Sequence, residues 1–306
     1  MSDSKYIKGL VSVVTPTYKR SEKLPRAIES ILAQTYTNIE LFVVNDNDPN
    51  DDFTQYVKTI TEKYLRDPRF HLIIQEKHIN GAVARNIAIK RAKGEYIAFL
   101  DDDDWWEKNK LEEQVNVLQS LDSSWGGVSC KFRLFDENGK VVGKSSKYDG
   151  GYIYKDILSL YSDVATGTLL LRRVALDETG YFDENLLRNQ DIQLLAQFTY
   201  KYKLEEVNQF LHCVDISDNQ NRAVTEERLL SVRKALYKSL DPIMSQLSKS
   251  EFRCIDAMRD LELGYVLISQ KQYIRGLKYI LSILRSPSAT VLAFKKLKRV
   301  LALKKA

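Results

Sequence analysis

Tyr96-Ile97-Ala98-Phe99-Leu100-Asp101-Asp102-Asp103-Asp104-Trp105-Trp106 is the stretch from which the fold can be read. A short apolar run stops abruptly in four carboxylates. The five uncharged residues after Gly94 and Glu95 have the length and composition of a strand buried on both faces, so the acids fall at a strand end. Adjacent carboxylates repel one another unless a cation neutralises them, and hard oxygen donors suit Mg²⁺ or Mn²⁺. A metal-diphosphate site is therefore expected here. The competing reading makes Asp104 the N-cap of a following helix, with its neighbours merely solvated.

Working outward toward the N-terminus, Leu10 to Val14 reads as another buried strand, stopped by Pro16 in Thr15-Pro16-Thr17-Tyr18. Ser21 is expected to cap a helix carrying Leu24, Ile28, Ile31 and Leu32 on one face. Ile39 to Val44 is a further strand, again ending in acids at Asn45-Asp46-Asn47-Asp48. A helix over 53–65, a strand over 71–75 and a helix over 82–92 lead back to the acidic stretch. Such alternation implies a parallel sheet with helices on both faces, whose ligands bind outside the carboxyl ends of the strands. Tyr18, Asp46 and Asp101 to Asp104 should converge there. No G-x-G-x-x-G or P-loop follows the first strand, which disfavours NAD and Walker-type ATP binding.

Toward the C-terminus, 108–121 has helical period, and 125–142 reads as strands joined at Asn138-Gly139. Residues 144–165 are irregular and are expected to form a mobile loop. Leu169 to Leu171 is a short strand, Asp191 begins a helix that it could itself cap, and Val207 to Val214 closes the unit near residue 216. From Glu226 the period is helical throughout, with breaks expected at Pro242 and Ser286-Pro287-Ser288. The expected division is 1–216 and a helical region over 217–306. The latter is expected to pack on the former, because one faint tetratricopeptide-like hairpin does not make an array.

With 306 residues, 44% of them hydrophobic, the chain can build a sizeable core. Three scattered cysteines and three scattered histidines lack metal-ligand spacing and fit a reducing cytosol better than a disulfide framework. No segment approaches the ~20 apolar residues of a spanning helix. A soluble or peripheral cytoplasmic protein is expected. The net charge of +5 is modest, and an acidic crevice without a basic aromatic groove argues against nucleic acid.

Six stretches together resemble glycosyltransferase family 2. They are Val11-Ser12-Val13-Val14-Thr15-Pro16-Thr17-Tyr18, Ser30-Ile31-Leu32-Ala33-Gln34-Thr35-Tyr36, Val43-Val44-Asn45-Asp46-Asn47-Asp48, Gly81-Ala82-Val83-Ala84-Arg85-Asn86, the Gly94 to Asp104 stretch, and Gly180-Tyr181-Phe182-Asp183-Glu184 with Gln190-Asp191. The resemblance implies an α/β fold of GT-A type, a Rossmann-like mixed sheet sandwiched by helices, followed here by a C-terminal helical appendage. Residues 1–104 would be the nucleotide-sugar half and 105–216 the acceptor half.

It also implies roles. Asp46 would accept a hydrogen bond from the donor base and Tyr18 would pack on it, beside Pro16 and Thr17. Arg85 would lie near the nucleotide, Asp102 near the ribose, and Asp48 replaces the Gly-Ser that often follows the family's acids. Asp103, with Asp101 as the other acid of the Asp-x-Asp motif, would hold the Mn²⁺ or Mg²⁺. Asp191 would be the base of an inverting transfer; Gln190 stands where the family has an acid, which removes one negative charge beside that base.

The activity this implies is metal-dependent transfer of one sugar from a nucleotide-diphosphate sugar, a UDP-sugar first, to a glycan or lipid-linked glycan hydroxyl in cell-surface polysaccharide synthesis. Its competitors are a non-catalytic nucleotide-sugar-binding module, which Gln190 keeps open, and a sugar-phosphate nucleotidyltransferase, whose Gly-rich phosphate loop is missing from 15–20. The basic amphipathic stretch over 290–306 suggests attachment to an anionic membrane surface, where each cation could add ~1 kcal/mol. A helix facing its own protein fits that pattern equally.

Overall fold

A computed structural model describes residues 5–19, 22–217 and 225–303. Strands and helices alternate through β1 (Ile7–Thr17), α1 (Leu24–Leu32), β2 (Ile39–Asn45), α2 (Asp52–Thr61), β3 (Phe70–Ile74), α3 (Gly81–Arg91) and β4 (Gly94–Phe99). These four strands pair in parallel in the order β3-β2-β1-β4. Every residue of β2 is buried, as expected of a strand covered on both faces.

The sheet then changes direction. It continues with β5 (Trp105–Trp106), β6 (Trp125–Phe135), β7 (Val141–Lys144), β8 (Leu170–Arg172) and β9 (Lys203–Asp215), in the full order β3-β2-β1-β4-β8-β6-β9-β5 with β7 on β6. β8 is antiparallel to both β4 and β6, whereas β9 runs parallel to β6. The result is a mixed sheet. Between these strands lie α4 (Lys110–Ser120), α5 (Tyr154–Leu158), α6 (Arg173–Thr179) and α7 (Gln190–Lys201). The chain ends in α8 (Glu226–Ser239), α9 (Asp241–Met244), α10 (Lys249–Ser269), α11 (Tyr273–Ser282) and α12 (Pro287–Leu303).

Strand alternation splits the core into two layers. On one face Val13, Leu41, Val43 and Ala98 meet Ile28 and Ile31 of α1, Val57 of α2 and Leu111 and Val115 of α4. On the other, Val14, Phe42, Val44 and Phe99 meet Ala84, Ala88 and Ile89 of α3 and Leu194, Leu195 and Phe198 of α7. Leu236, Leu240, Ile243, Met244 and Ile255 join this second layer, so α8, α9 and the start of α10 share the core of the sheet. Each such buried side chain contributes about 1.5–3 kcal/mol. Two polar ties reinforce the docking: Ser239 Oγ donates to Asp183 Oδ2 at 2.5 Å, and Arg259 Nε donates to the Leu158 carbonyl at 2.7 Å.

Several local expectations are corrected. Pro16 does not stop β1, which pairs with β2 as far as Thr17 opposite Asn45. The pairing with β4 has already ended at Val14, so the missing proline N–H is not needed. Helix α1 starts after Lys23 without a side-chain cap, and Ser21 lies outside the described residues. Asp104 caps no helix: two strand residues follow it, and α4 begins only at Lys110. Nor does Asp191 cap α7, whose N-cap is Asn189 in the left-handed region at φ 60°. The segment 144–165 contains α5. The break expected at Ser286-Pro287-Ser288 does fall at Ser286, after which Pro287 opens α12, where its fixed φ suits a first turn.

Candidate active site

β1, β2 and β4 end at one crevice of about 620 Å³, lined by Pro16, Thr17, Tyr18, Asp46, His78, Gly81, Arg85, Asp101 to Asp104 and Asp215. Eight of the residues singled out for nucleotide or metal binding meet there; Asp48 does not line it. Asp48 instead accepts from the His78 backbone N–H at 3.2 Å and shapes the loop that leads into α3.

At one end stands Asp46, 2% exposed. Gln75 Nε2 at 2.6 Å and the Ile79 N–H at 3.2 Å donate to its Oδ1, and His78 Nδ1 lies 3.0 Å from its Oδ2. Burial raises the carboxyl above the usual aspartate value, partly offset by these donors. The Tyr18 ring lies alongside, stacked on the His78 imidazole with centroids 3.8 Å apart and planes inclined by 14°. His78 was not anticipated. Its only sequence signal is its place in the loop that leads toward α3, three residues before Gly81.

The acids at the end of β4 are not equivalent. Asp101, half exposed, accepts from Arg85 Nη2 at 2.5 Å. Asp104 is buried and committed to the framework: His212 Nε2 lies 3.2 Å from its Oδ2, and the Asp215 N–H donates to its Oδ1 at 2.9 Å. Asp102 is buried and Asp103 partly so, with the Asp103 carbonyl held by Arg26. Asp215, at the end of β9, adds a further acid. Burial opposes its charge, but Ser217, Arg26 and Lys23 outweigh that effect and hold its carboxyl far below the usual range.

Two polar atoms at the crevice, the Thr17 hydroxyl and Arg85 Nε, are buried without a hydrogen-bond partner among the described residues. Such orphans are rare in folded chains and fit a ligand that supplies the partner. No three His, Cys, Asp or Glu side chains among the described residues converge to cage an ion. The donor set still fits Mg²⁺ or Mn²⁺, because such ions commonly take one or two carboxylates and complete their shell with phosphate oxygens and water.

Asp191 lies outside this crevice. It occupies the first turn of α7 and opens onto a second cavity shared with α10. Gln190, one residue earlier, is not among the residues lining either cavity; its Nε2 donates to the Leu186 carbonyl, and a Cβ placed on Gly81 would lie 3.8 Å from its Oε1 and 2.9 Å from Arg85 Nη1.

The profile described as glycosyl transferase family 2 matches residues 12–180. The chain belongs to this family. The putative teichuronic acid biosynthesis glycosyltransferase TuaG of Bacillus subtilis is 33% identical over 187 residues, covering 60% of this chain and 70% of TuaG. Across the first curated relatives the aligned stretch takes up between 58% and 74% of their length. Among solved structures, S. aureus TarS 1–349 in complex with UDP-GlcNAc is similar with a TM-score of 0.63 and 21% identity, covering 89% of this chain and 81% of TarS 1–349. The mannosyltransferase PcManGT of Pyrobaculum calidifontis, in complex with GDP-Man and Mn²⁺, has a TM-score of 0.59 at 18% identity and covers 93% and 79%. Both structures carry the fold of GT-A glycosyltransferases, as the mixed sheet here does.

Proposed function

We propose that this family 2 chain is an inverting glycosyltransferase that moves a single sugar from a UDP-sugar to a hydroxyl of a glycan or lipid-linked glycan in cell-surface polysaccharide synthesis. The observation that carries the donor reading is the pairing of buried Asp46 and the Tyr18 ring at one end of a crevice whose other end holds the acids of β4. With Gln75, Ile79 and His78 already around its oxygens, Asp46 has room for one more N–H. Uracil offers a single imide N–H, whereas guanine offers two donors side by side. The polysaccharide role is supported by the similarity to TuaG, a putative teichuronic acid biosynthesis glycosyltransferase, and the nucleotide-sugar by the ligands of the two solved structures.

In this reading Asp103 and Asp101 would hold Mn²⁺ or Mg²⁺, Asp102 would meet the ribose, and Arg85 would add positive charge at the same end. The cation supplies charge neutralisation for the leaving group. Asp191 accepts the proton of the acceptor hydroxyl while that oxygen attacks the anomeric carbon. The bond from that carbon to the diphosphate breaks, and its electron pair leaves with UDP.

Mixing the protein, Mn²⁺, an α-linked UDP-sugar and a glycoside acceptor tests this directly. A β-linked product by NMR, with turnover lost but UDP affinity kept in Asp191→Asn, is expected. An α-linked product, or unchanged turnover in that variant, would overturn it. UDP binding without acceptor-dependent UDP release would favour the non-catalytic module.

We also place the protein at the cytoplasmic face of an anionic membrane, on an observation the sequence alone did not offer. Lys296 donates to the Leu160 carbonyl and Arg299 sits 4.3 Å over the Tyr161 ring, so two of the cations counted in 290–306 face inward. Lys304 and Lys305 lie outside the described residues. Exposed apolar residues stand instead on both final helices and the turn between them, Ile274 89%, Phe294 63% and Leu284 68% exposed. The chain has no Asp or Glu after Glu262 but ten Lys and Arg. No helix among the described residues is long and apolar enough to cross a membrane; the contact proposed here is docking of these exposed residues on the surface.

A further inference from the structure

Apart from the crevice and the cavity at Asp191, the surface holds an open corner of about 630 Å³ lined by Tyr152, Tyr154, Tyr200 and Lys201. None of the four lines either of the other two spaces. Tyr154 opens α5 and Tyr200 stands near the end of α7. Their rings meet edge to face, with centroids 5.0 Å apart and planes at 85°, so they make a corner instead of covering each other. Tyr152 is set beside them by Gly151, which at φ 121° lies in the region that favours glycine and exchanges two 3.0 Å backbone hydrogen bonds with Leu204 of β9. Tyr152 and Tyr200 are exposed.

The charged groups around these rings come in pairs. Lys201 holds Glu178 at 2.8 Å, Tyr202 donates to the same carboxylate at 2.6 Å, and Lys155, 5.4 Å over the Tyr154 ring, pairs with Glu251. Donors and acceptors thus stand beside aromatic faces, and no aliphatic side chain lines the corner among the described residues. An acyl chain or an apolar protein face would gain only the rings and would take the ion pairs out of water. A pyranose matches both kinds of group: its C–H face packs on the electron-rich face of a tyrosine, while its hydroxyls meet lysine and glutamate or stay in water. Equatorially substituted pyranoses match best, because their hydroxyls point outward around the ring and leave its two faces to C–H.

We propose that this tyrosine corner is a separate, non-catalytic carbohydrate site that binds a pyranose of an equatorially linked glycan chain. Tyr200 follows Asp191 along α7 by about 14 Å of helix, so a chain held here is anchored away from the residues of the transfer. Such anchoring keeps a glycan at the protein and raises its effective concentration. The site goes beyond the transfer reading and depends on neither Asp191 nor UDP.

An NMR titration of the full chain with cellohexaose, whose β-linked glucose units are equatorially substituted, tests it. The wild type should bind the hexasaccharide equally well with and without saturating UDP and Mn²⁺. Tyr152→Ala and Tyr200→Ala should each weaken binding about fivefold, the scale of losing one aromatic contact. Tyr200→Phe, which keeps the ring, and Leu277→Asp, at an exposed position of α11, should retain it. No binding by the wild type, displacement by UDP, or unchanged affinity in both alanine variants would overturn the proposal. Self-association of the chain that Tyr200→Ala abolishes would overturn it too, because the corner would then be an interface between copies. UDP is titrated into every protein alongside. Intact UDP binding without cellohexaose binding removes this site alone; cellohexaose binding without UDP binding removes the donor reading and leaves this site standing.

Discussion

Asp46 shows how one residue acquires a role from its surroundings. Its carboxyl is buried at a strand end, so charge is costly, yet three neighbours supply donors that keep an acceptor available. Asp46→Asn should weaken UDP binding by about 1.5–3 kcal/mol, the scale of a hydrogen bond to a charged group, in a calorimetric titration. The ionised form is the acceptor and its folded-state value is raised, so UDP affinity should fall on acidification sooner than for an ordinary aspartate.

Glu206 of β9 gives the matching prediction for stability. Burial pushes its carboxyl up to about 7 from a usual 4.5. An acid raised by folding favours the folded state only while protonated, so its contribution is lost as pH rises from about 4.5 through about 7. Glu206→Gln should flatten the fall in melting temperature across that window. A variant that melts in parallel with the wild type would contradict this.

Among the elements, α10 and α11 pack closely, and glycine is what permits it. A Cβ on Gly264 would lie 2.8 Å from the Gly276 carbonyl oxygen and 2.8 Å from Ile280 Cγ1. Gly264→Val should cost 2 kcal/mol or more and release the last two helices to limited proteolysis before the sheet unfolds. Arg233 of α8 ties to α10 through Asp256 at 3.2 Å and Asp260 at 2.7 Å. Arg233→Ala leaves two acids one turn apart without their shared cation, and about 1–3 kcal/mol of stability should go with it in denaturant titrations.

The elements also mark what a sequence can convey. Strands such as β2 and β4 were legible because burial on both faces demands uninterrupted apolar residues, and the acids after them stood out as an anomaly. Pro16 misled because its effect depends on which neighbour still needs its N–H, a fact of sheet register. Asp104 and Asp103 are indistinguishable as letters; only the pairing of β5 with β9 brings His212 and the Asp215 N–H to one of them. His78 and Asp215 join the crevice through loops and strand ends distant in sequence, with no periodicity to announce them. Asp191 was singled out by motif, and its place at a second cavity rather than at the crevice of β1, β2 and β4 was beyond any local pattern.

For the whole molecule, the second core layer joins sheet and tail, so the C-terminal helices are placed relative to both cavities. Their basic, acid-free final stretch leads to a prediction: the full chain should sediment with vesicles containing anionic lipid and stay in solution with neutral ones. Leu277→Asp should weaken that binding, and raised salt should weaken it further. Equal sedimentation with both vesicle types would contradict an electrostatic surface.

The central claim is that the crevice at the ends of β1, β2 and β4 binds a nucleotide diphosphate together with a cation. Calorimetric titration of UDP, dTDP and GDP, with and without Mn²⁺, into the wild type and Asp103→Ala tests it most directly. UDP binding that requires both Mn²⁺ and Asp103, with GDP weaker, is the predicted result; nucleotide binding that ignores the metal and the substitution, or no binding at all, would contradict the account.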